Sequence, residues 1–226
     1  MAAAGLCGQL CRARPAARLR AGVRPEDTLA VYDARVEDYV AMSAAVKERR
    51  DLQAFMAHLP EGARVLDLGC GPGASAAVMA EQGFAVEAVD GSAEMVARAG
   101  AIPGVAARQA LFEEVEGEAC YAGVWANFSL LHAPREAFPG HLARLHRALV
   151  PGGWLHLGMK LGEGEGPDSI GRFYTYYSEA ELEGLLKAAG FALKGKRVSR
   201  GKGLSGDSSE FIVLLSQAIP EGGAKD

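Results

Sequence analysis

The sequence predicts an α/β fold: a mostly parallel sheet, helices on both faces, and an antiparallel hairpin at the C-terminal end. Three observations predict it. Short apolar runs alternate with segments of helical period from residue 27 onward, the pattern of parallel strands joined by crossover helices. One of those runs, 63–68, breaks directly into Gly69-Cys70-Gly71-Pro72-Gly73, a strand entering a tight turn ahead of a helix. The last two runs, 191–198 and 211–216, flank a Gly/Ser/Lys loop and read as a hairpin.

In chain order, residues 27–43 and 44–59 are two predicted helices, with Leu29, Val36, Tyr39 and Val40 at three- and four-residue spacing. The strand ending in Asp67-Leu68 leads through the glycines into a helix over 74–80. A second strand-like run, 84–89, ends in Asp90, after which Ser92 is a helix N-cap with Glu94 in the first turn. Residues 104–108 form a short strand and 124–128 a buried one. The helix over 134–149 is strongly periodic and is expected to stop at Pro151-Gly152-Gly153. Residues 154–159 read as another apolar strand, and Ser178 and Glu181 have capping-box spacing for a helix that stops at Gly190.

At 226 residues the chain has the size of one α/β domain. Its 49% hydrophobic and 23% charged residues are ordinary for a globular protein, and a net charge of −4 argues against a surface devoted to nucleic acid. The charge is uneven: Arg12, Arg14, Arg18, Arg20 and Arg24 share an Ala-rich segment that contains no acid. No apolar run there has the length of a secretory signal or a membrane span. We read residues 1–25 as a disordered leader, with a mitochondrial transit peptide as the other reading, 26–219 as the folded domain and 220–226 as a disordered tail. Four scattered cysteines suit a reducing, cytoplasmic setting, and the five histidines form no ligand cluster, so no metal site is expected. A monomer or weak dimer without membrane attachment is expected.

The glycine turn points to a nucleoside cofactor. Glycine has no Cβ and tolerates positive φ, so backbone amides there can approach a ligand closely. Asp90, at the tip of the neighbouring strand, can accept both hydroxyls of a ribose. Gly69-Cys70-Gly71-Pro72-Gly73-Ala74 fits the dinucleotide pattern, with Asp90 at about the 20-residue spacing that pattern needs. Three details pull away from a pyrophosphate. Pro72 supplies no amide, Asp67 stands where a cationic amino group would be held, and the chain shows one such half rather than two.

Asp67-Leu68-Gly69-Cys70-Gly71-Pro72-Gly73 resembles motif I of the class I S-adenosylmethionine-dependent methyltransferases, D/E-x-G-x-G-x-G, at every defined position. The resemblance extends over residues 27–217 and implies a Rossmann-like sheet of seven strands with the reversed strand last. It implies S-adenosyl-L-methionine as cofactor, bound by Asp67, Gly69, Cys70, Gly71, Gly73, Asp90 and Gly91, with Ala110 and Leu111 beside the adenine ring and Asn127 as a further hydrogen-bonding group. Phe112 reads as adenine contact or core. Relatives often carry an acid two residues before the valine of the fourth strand; that position is Ala122 here.

His132 is the candidate general base. The insert over 160–177 pairs a glycine- and acid-rich first half with Arg172 and three tyrosines. It reads either as a lid, with Lys160, Arg172 and Tyr174 facing an anionic or aromatic substrate, or as a loop packed onto the sheet. Lys194, Lys196, Arg197, Arg200 and Lys202 are a solvated hairpin edge or a grip on RNA phosphates. The expected function is methyl transfer to a small-molecule acceptor. The rivals are a tRNA or RNA methyltransferase and a non-catalytic S-adenosylmethionine-binding module.

Overall fold

A computed structural model describes residues 25–44 and 49–220. The leader expected up to residue 25 and the tail expected from 220 lie, apart from Pro25 and Pro220, outside the described residues. Three short helices come first: α1 (Pro25–Ala34), α2 (Val36–Ala44) and α3 (Arg49–Met56). The first of the two longer helices expected from the apolar spacing is thus divided by a turn at Arg35 between α1 and α2, and the second corresponds to α3. Alternation then begins with β1 (Arg64–Leu68), α4 (Ala74–Glu81), β2 (Ala85–Asp90), α5 (Ala93–Gly100) and β3 (Val105–Gln109). It continues through β4 (Tyr121–Asn127), α6 (Phe138–Ala148) and β5 (Leu149–Lys160). A small β6 (Glu165–Pro167) and β7 (Phe173–Thr175) pair separately, followed by α7 (Glu179–Ala188), β8 (Phe191–Lys202) and β9 (Ser208–Ala218).

The main sheet has seven strands in the order β3-β2-β1-β4-β5-β9-β8. Six run in one direction, and β9 alone is reversed, pairing antiparallel with β5 and β8. The predicted fold class is therefore the observed one. Alternate residues of each central strand face opposite layers, as a period of two requires. Leu66, Leu68, Val124, Ala126, Leu155 and Leu157 join the layer under α6 and α7. Val65 and Trp125 join the other, with Leu52 and Phe55 of α3 and Met79 of α4. His156, also on that face, stacks on Trp125 at 3.5 Å between ring centroids and is fully buried. Full burial of side chains such as Phe55 or Leu66 contributes about 1.5–3 kcal/mol each, which makes these two layers the main source of stability.

Several expected boundaries move, and each has a local cause. Helix α6 starts at Phe138 rather than Pro134, because Pro134 opens a turn whose carbonyl accepts from Ala137 and Phe138. It stops at Ala148, and Pro151-Gly152-Gly153 lies inside β5 instead of ending the helix. Ser178 forms the capping box: its Oγ accepts from the amide of Glu181, whose carboxylate accepts from the Ser178 amide. Gly190, at φ 87°, ends that helical region. The hairpin is longer than its apolar runs suggested. The polar residues up to Lys202 and from Ser208 pair across it, because a strand with one solvated face carries alternating polar residues.

Candidate functional site

The turn after β1 is shaped by backbone. Gly69, Gly71 and Gly73 have φ of 70°, 52° and 86°, a region that side chains with a Cβ rarely adopt. Space is as restrictive as conformation. A Cβ on Gly69 would lie 2.2 Å from the Ser129 Cβ, and one on Gly73 would lie 2.7 Å from Ile102 Cδ1. The amides of Gly69 and Cys70 donate to the carbonyl of Val89 at 2.7 and 3.0 Å, tying the turn to the end of β2. Helix α4 starts directly after Gly73. The Cys70 thiol is buried, and burial pushes its pKa up, so it packs as an apolar group.

Asp67 is 2% exposed, and its Oδ2 has no hydrogen-bond partner among the described residues. Burial and the neighbouring Asp90 push its pKa up to about 8. An unpaired buried carboxylate oxygen costs free energy that an incoming cation or N–H donor would recover. Ser129 Oγ, across the turn, is also buried without a partner among the described residues. Asp90 sits at the tip of β2, its pKa raised by burial against the opposing effect of two amides. Its Oδ2 accepts from Gly71 N at 2.8 Å and its Oδ1 from Ser92 N at 2.9 Å. Each oxygen keeps a lone pair for a further donor. Gly91, Ala110 and Leu111 adjoin it: Ala110 N donates to the Asp90 carbonyl, and Leu29 of α1 packs on Gly91. Phe112 packs against the core and meets His141 edge-on.

A cleft of about 690 Å³ lies outside the carboxyl ends of β1, β4 and β5, where open α/β sheets place ligands. Of the residues expected from sequence, Asp67, Gly69, Cys70, Asn127, Lys160, Arg172 and Tyr174 line it. Gly71, Gly73, Asp90, Gly91, Ala110, Leu111 and His132 do not; the first six of these sit next to it around the β1–β2 tips. Asn127 Oδ1 accepts from His156 Nε2 at 3.0 Å, and His156, held near a pKa of about 3 by burial and by Arg197, is neutral.

His132 lies behind the wall. Its Nδ1 is 2.6 Å from the Phe173 carbonyl oxygen, which can only accept, so the ring proton is on Nδ1. Nε2 then accepts from the Tyr32 hydroxyl at 2.9 Å, and the same phenol oxygen accepts from Arg172 Nη1 at 3.1 Å. Burial holds His132 near a pKa of about 3, so it is neutral. Tyr32, from α1, and Arg172 are the members of this chain that line the cleft. Sequence reasoning missed Tyr32. No local motif marks it, and its partners are 100 and 140 residues away.

The 160–177 insert is packed rather than loose. Arg172 is 2% exposed, with Nε and Nη2 on Asp168 Oδ2 at 3.0 and 2.6 Å. Tyr177 is buried in the core, and Tyr174 is buried with one face toward Lys160 Nζ, 4.1 Å from the ring centroid. The hairpin edge is divided in its roles. Lys196 pairs with Glu179 and Glu183 on the outer side, whereas Arg197 pairs with Asp51, and Arg197, Arg200 and Lys202 line the cleft. The edge expected to be solvated is therefore, in part, a wall of the site. Among the described residues no cluster of three metal-ligating side chains occurs, and no helix is long and apolar enough to cross a membrane.

Residues 41–194 match the family model described as a methyltransferase domain. A segment of 118 residues, 48% of the chain, is 35% identical to a malonyl-[acyl-carrier protein] O-methyltransferase of Enterobacter lignolyticus. The match spans 44% of that relative, less than half its length. Among solved structures, the Burkholderia thailandensis 1,6-didemethyltoxoflavin-N1-methyltransferase, with bound 1,6-didemethyltoxoflavin and S-adenosylhomocysteine, superimposes with a TM-score of 0.69 at 27% identity. That similarity covers 90% of this chain and 93% of the other. An S-adenosylmethionine-dependent methyltransferase from Mesorhizobium loti shares the fold at TM-score 0.64 and 18% identity, over 77% and 99% of the two chains.

Proposed function

This chain belongs to the methyltransferase-domain family, and from that premise we propose that it transfers the methyl group of S-adenosylmethionine to a small-molecule acceptor. The observation that carries the cofactor is Asp67 Oδ2, buried and without a partner among the described residues, beside a glycine turn that presents backbone. A methionine ammonium is the kind of group that relieves it. Asp90, with Gly91, Ala110 and Leu111 at its side, would take the ribose and adenine; Gly69, Cys70, Gly71, Gly73 and Asn127 would line the methionine and sulfonium path. The cofactor supplies an electrophilic methyl group. The chain's own residues hold the acceptor in line with it, and alignment of that kind is worth up to about 7–11 kcal/mol.

Tyr32 would touch the acceptor, and His132 would be a positioning residue rather than the base itself. A neutral imidazole with a pKa of about 3 is a poor store for a proton. It does fix the phenol proton on its own side, and the Tyr32 oxygen, which accepts from Arg172 and is also hydrogen-bonded to Tyr174, would accept from the acceptor's N–H or O–H by exchanging the Tyr174 contact for it. That contact would turn the nucleophile's lone pair toward the methyl group. Lys160, Arg172 and Tyr174 would form the acceptor wall. The pairing of Lys196 and Arg197 with carboxylates favours a small molecule over RNA, and the cytoplasm is the proposed compartment.

The test is incubation with methyl-labelled S-adenosylmethionine and a deproteinised metabolite extract. Label in a low-molecular-weight product is expected. Binding of S-adenosylhomocysteine with no transfer to any fraction would instead support a binding module, and transfer into RNA alone would overturn the acceptor class.

A further inference from the structure

The two halves of the cleft differ in their charged groups. Asp67 faces the glycine turn, whereas Lys160, Arg172, Arg197, Arg200 and Lys202 lie around the other half. Most of these cations are already engaged. Asp168 grips Arg172, and its second oxygen is held by the amides of Ile170 and Arg172. Asp51 takes Arg197, and Glu210 lies 3.3 Å from Arg200. Arg172 also spends Nη1 on Tyr32. It is a strut of the wall, which leaves the sequence-based expectation of a cation facing the substrate to the other residue named for it.

That residue is Lys160, the last of β5. Its ammonium lies under the Tyr174 ring, and the Cα of Gly203 at the hairpin tip brings a would-be Cβ to 3.8 Å from it. No carboxylate comes within ion-pair distance of Lys160 among the described residues; Asp168 and Asp207 act on it from farther away. Burial, with the Arg172 charge added, pulls its pKa down. A cation desolvated without a paired anion is held at a cost that an anionic ligand would offset. The aromatic surfaces of Phe128 and Phe211, also on the cleft wall, meet edge-on at 5.3 Å and suit an apolar body.

We propose that the acceptor carries an anionic group, carboxylate or phosphate, that pairs with Lys160 between the Tyr174 ring and the hairpin tip at Gly203. This deepens the methyltransferase reading and rests on it. The anion anchors one end of the acceptor, and the nucleophilic atom lies toward Tyr32 and the glycine turn.

The full chain, with and without saturating S-adenosylhomocysteine, is titrated calorimetrically with benzoate, phenyl phosphate and the neutral benzamide. The expected result is that at least one anion binds about 10-fold or more tightly than benzamide, because a charge-assisted pair is worth more than a neutral contact. The two anions distinguish carboxylate from phosphate. Lys160→Met is expected to remove the preference and Lys160→Arg to retain it, with circular dichroism and S-adenosylhomocysteine affinity reporting intact folding. Equal binding of anions and benzamide, absence of anion binding, or a preference that survives in folded Lys160→Met would overturn the proposal. Failure of S-adenosylhomocysteine to bind would sink the methyltransferase reading instead, and the titrations without it would still decide whether Lys160 selects an anion.

Discussion

The donor end of the cleft and its acceptor end are built by different means. At the donor end, β1, the glycine turn and β2 lie within 30 residues of chain and act through backbone: positive φ, amides on Asp90, and glycines packed too closely to accept a Cβ. At the acceptor end, α1, β5 and β7 each bring one long side chain, Tyr32, Lys160 and Tyr174, and the hairpin brings several, from distant parts of the sequence. The first construction tolerates almost no substitution. The second can be re-specified by changing single residues, which is how one scaffold serves many acceptors.

The sharpest way to break this comparison is Gly69→Ala. Its Cβ would meet Ser129 and its φ is positive, so a loss of about 2–5 kcal/mol in unfolding free energy is expected, from overpacking and the left-handed backbone together. Near-wild-type denaturant midpoints would show that the turn yields more than its contacts imply. Asp90→Asn keeps one acceptor for the two amides of Gly71 and Ser92, so it should cost about 1–3 kcal/mol of stability and weaken S-adenosylhomocysteine by about 10- to 150-fold, as expected for loss of a charge-assisted bond of about 1.5–3 kcal/mol; denaturant unfolding and calorimetry read the two effects. Tyr32→Phe is expected to lower kcat/KM for the labelled product by about 10- to 100-fold through the hydrogen bond it removes, without altering S-adenosylhomocysteine affinity. A weakened cofactor instead would move Tyr32 to the donor end.

Asp67 gives a smaller, pH-resolved effect. Its pKa of about 8 in the unliganded chain falls when an ammonium pairs with it, so binding releases a proton below that pH. S-adenosylhomocysteine affinity should then rise between pH 6 and 8, by at most about 10-fold per unit, and level off above. The same raised pKa means that the neutral carboxyl favours the folded state. That contribution is complete below the unfolded pKa and is lost as pH rises through about 8. Adenosine, which lacks the amino acid, should bind without this slope, and Asp67→Asn should abolish it. At the other extreme, Lys196→Gln on the outer face of the hairpin should change neither cofactor nor acceptor binding, because its partners Glu179 and Glu183 lie away from the cleft.

The same contrast governs what could be read without coordinates. Alternating strands and helices, the glycine turn, the Ser92 and Ser178 caps and the terminal hairpin are local patterns, and all are present. The division of the first N-terminal helix and the passage of Pro151-Gly152-Gly153 into β5 were not legible: these three residues sit where the pairing of β5 with β4 shifts register, between Leu149 and Trp154, with Gly152 at φ 80°.

His132 shows the limit most clearly. As a lone histidine after a strand it was a candidate base; only its neighbours reveal that Phe173 fixes its proton and Tyr32 stands between it and the cleft. Arg172 and Lys160 were equivalent as letters in the insert. Packing made one a saturated strut and left the other without a carboxylate at ion-pair distance among the described residues.

By itself the sequence determined the sheet, the donor turn and the acid at the tip of β2, since each depends on residues adjacent in the chain or on a two- or three-residue period. Tertiary structure alone decided which side chains meet at the acceptor end. Those contacts close loops of 41 to 146 residues, and no local propensity encodes which distant partner a tyrosine, lysine or arginine will find.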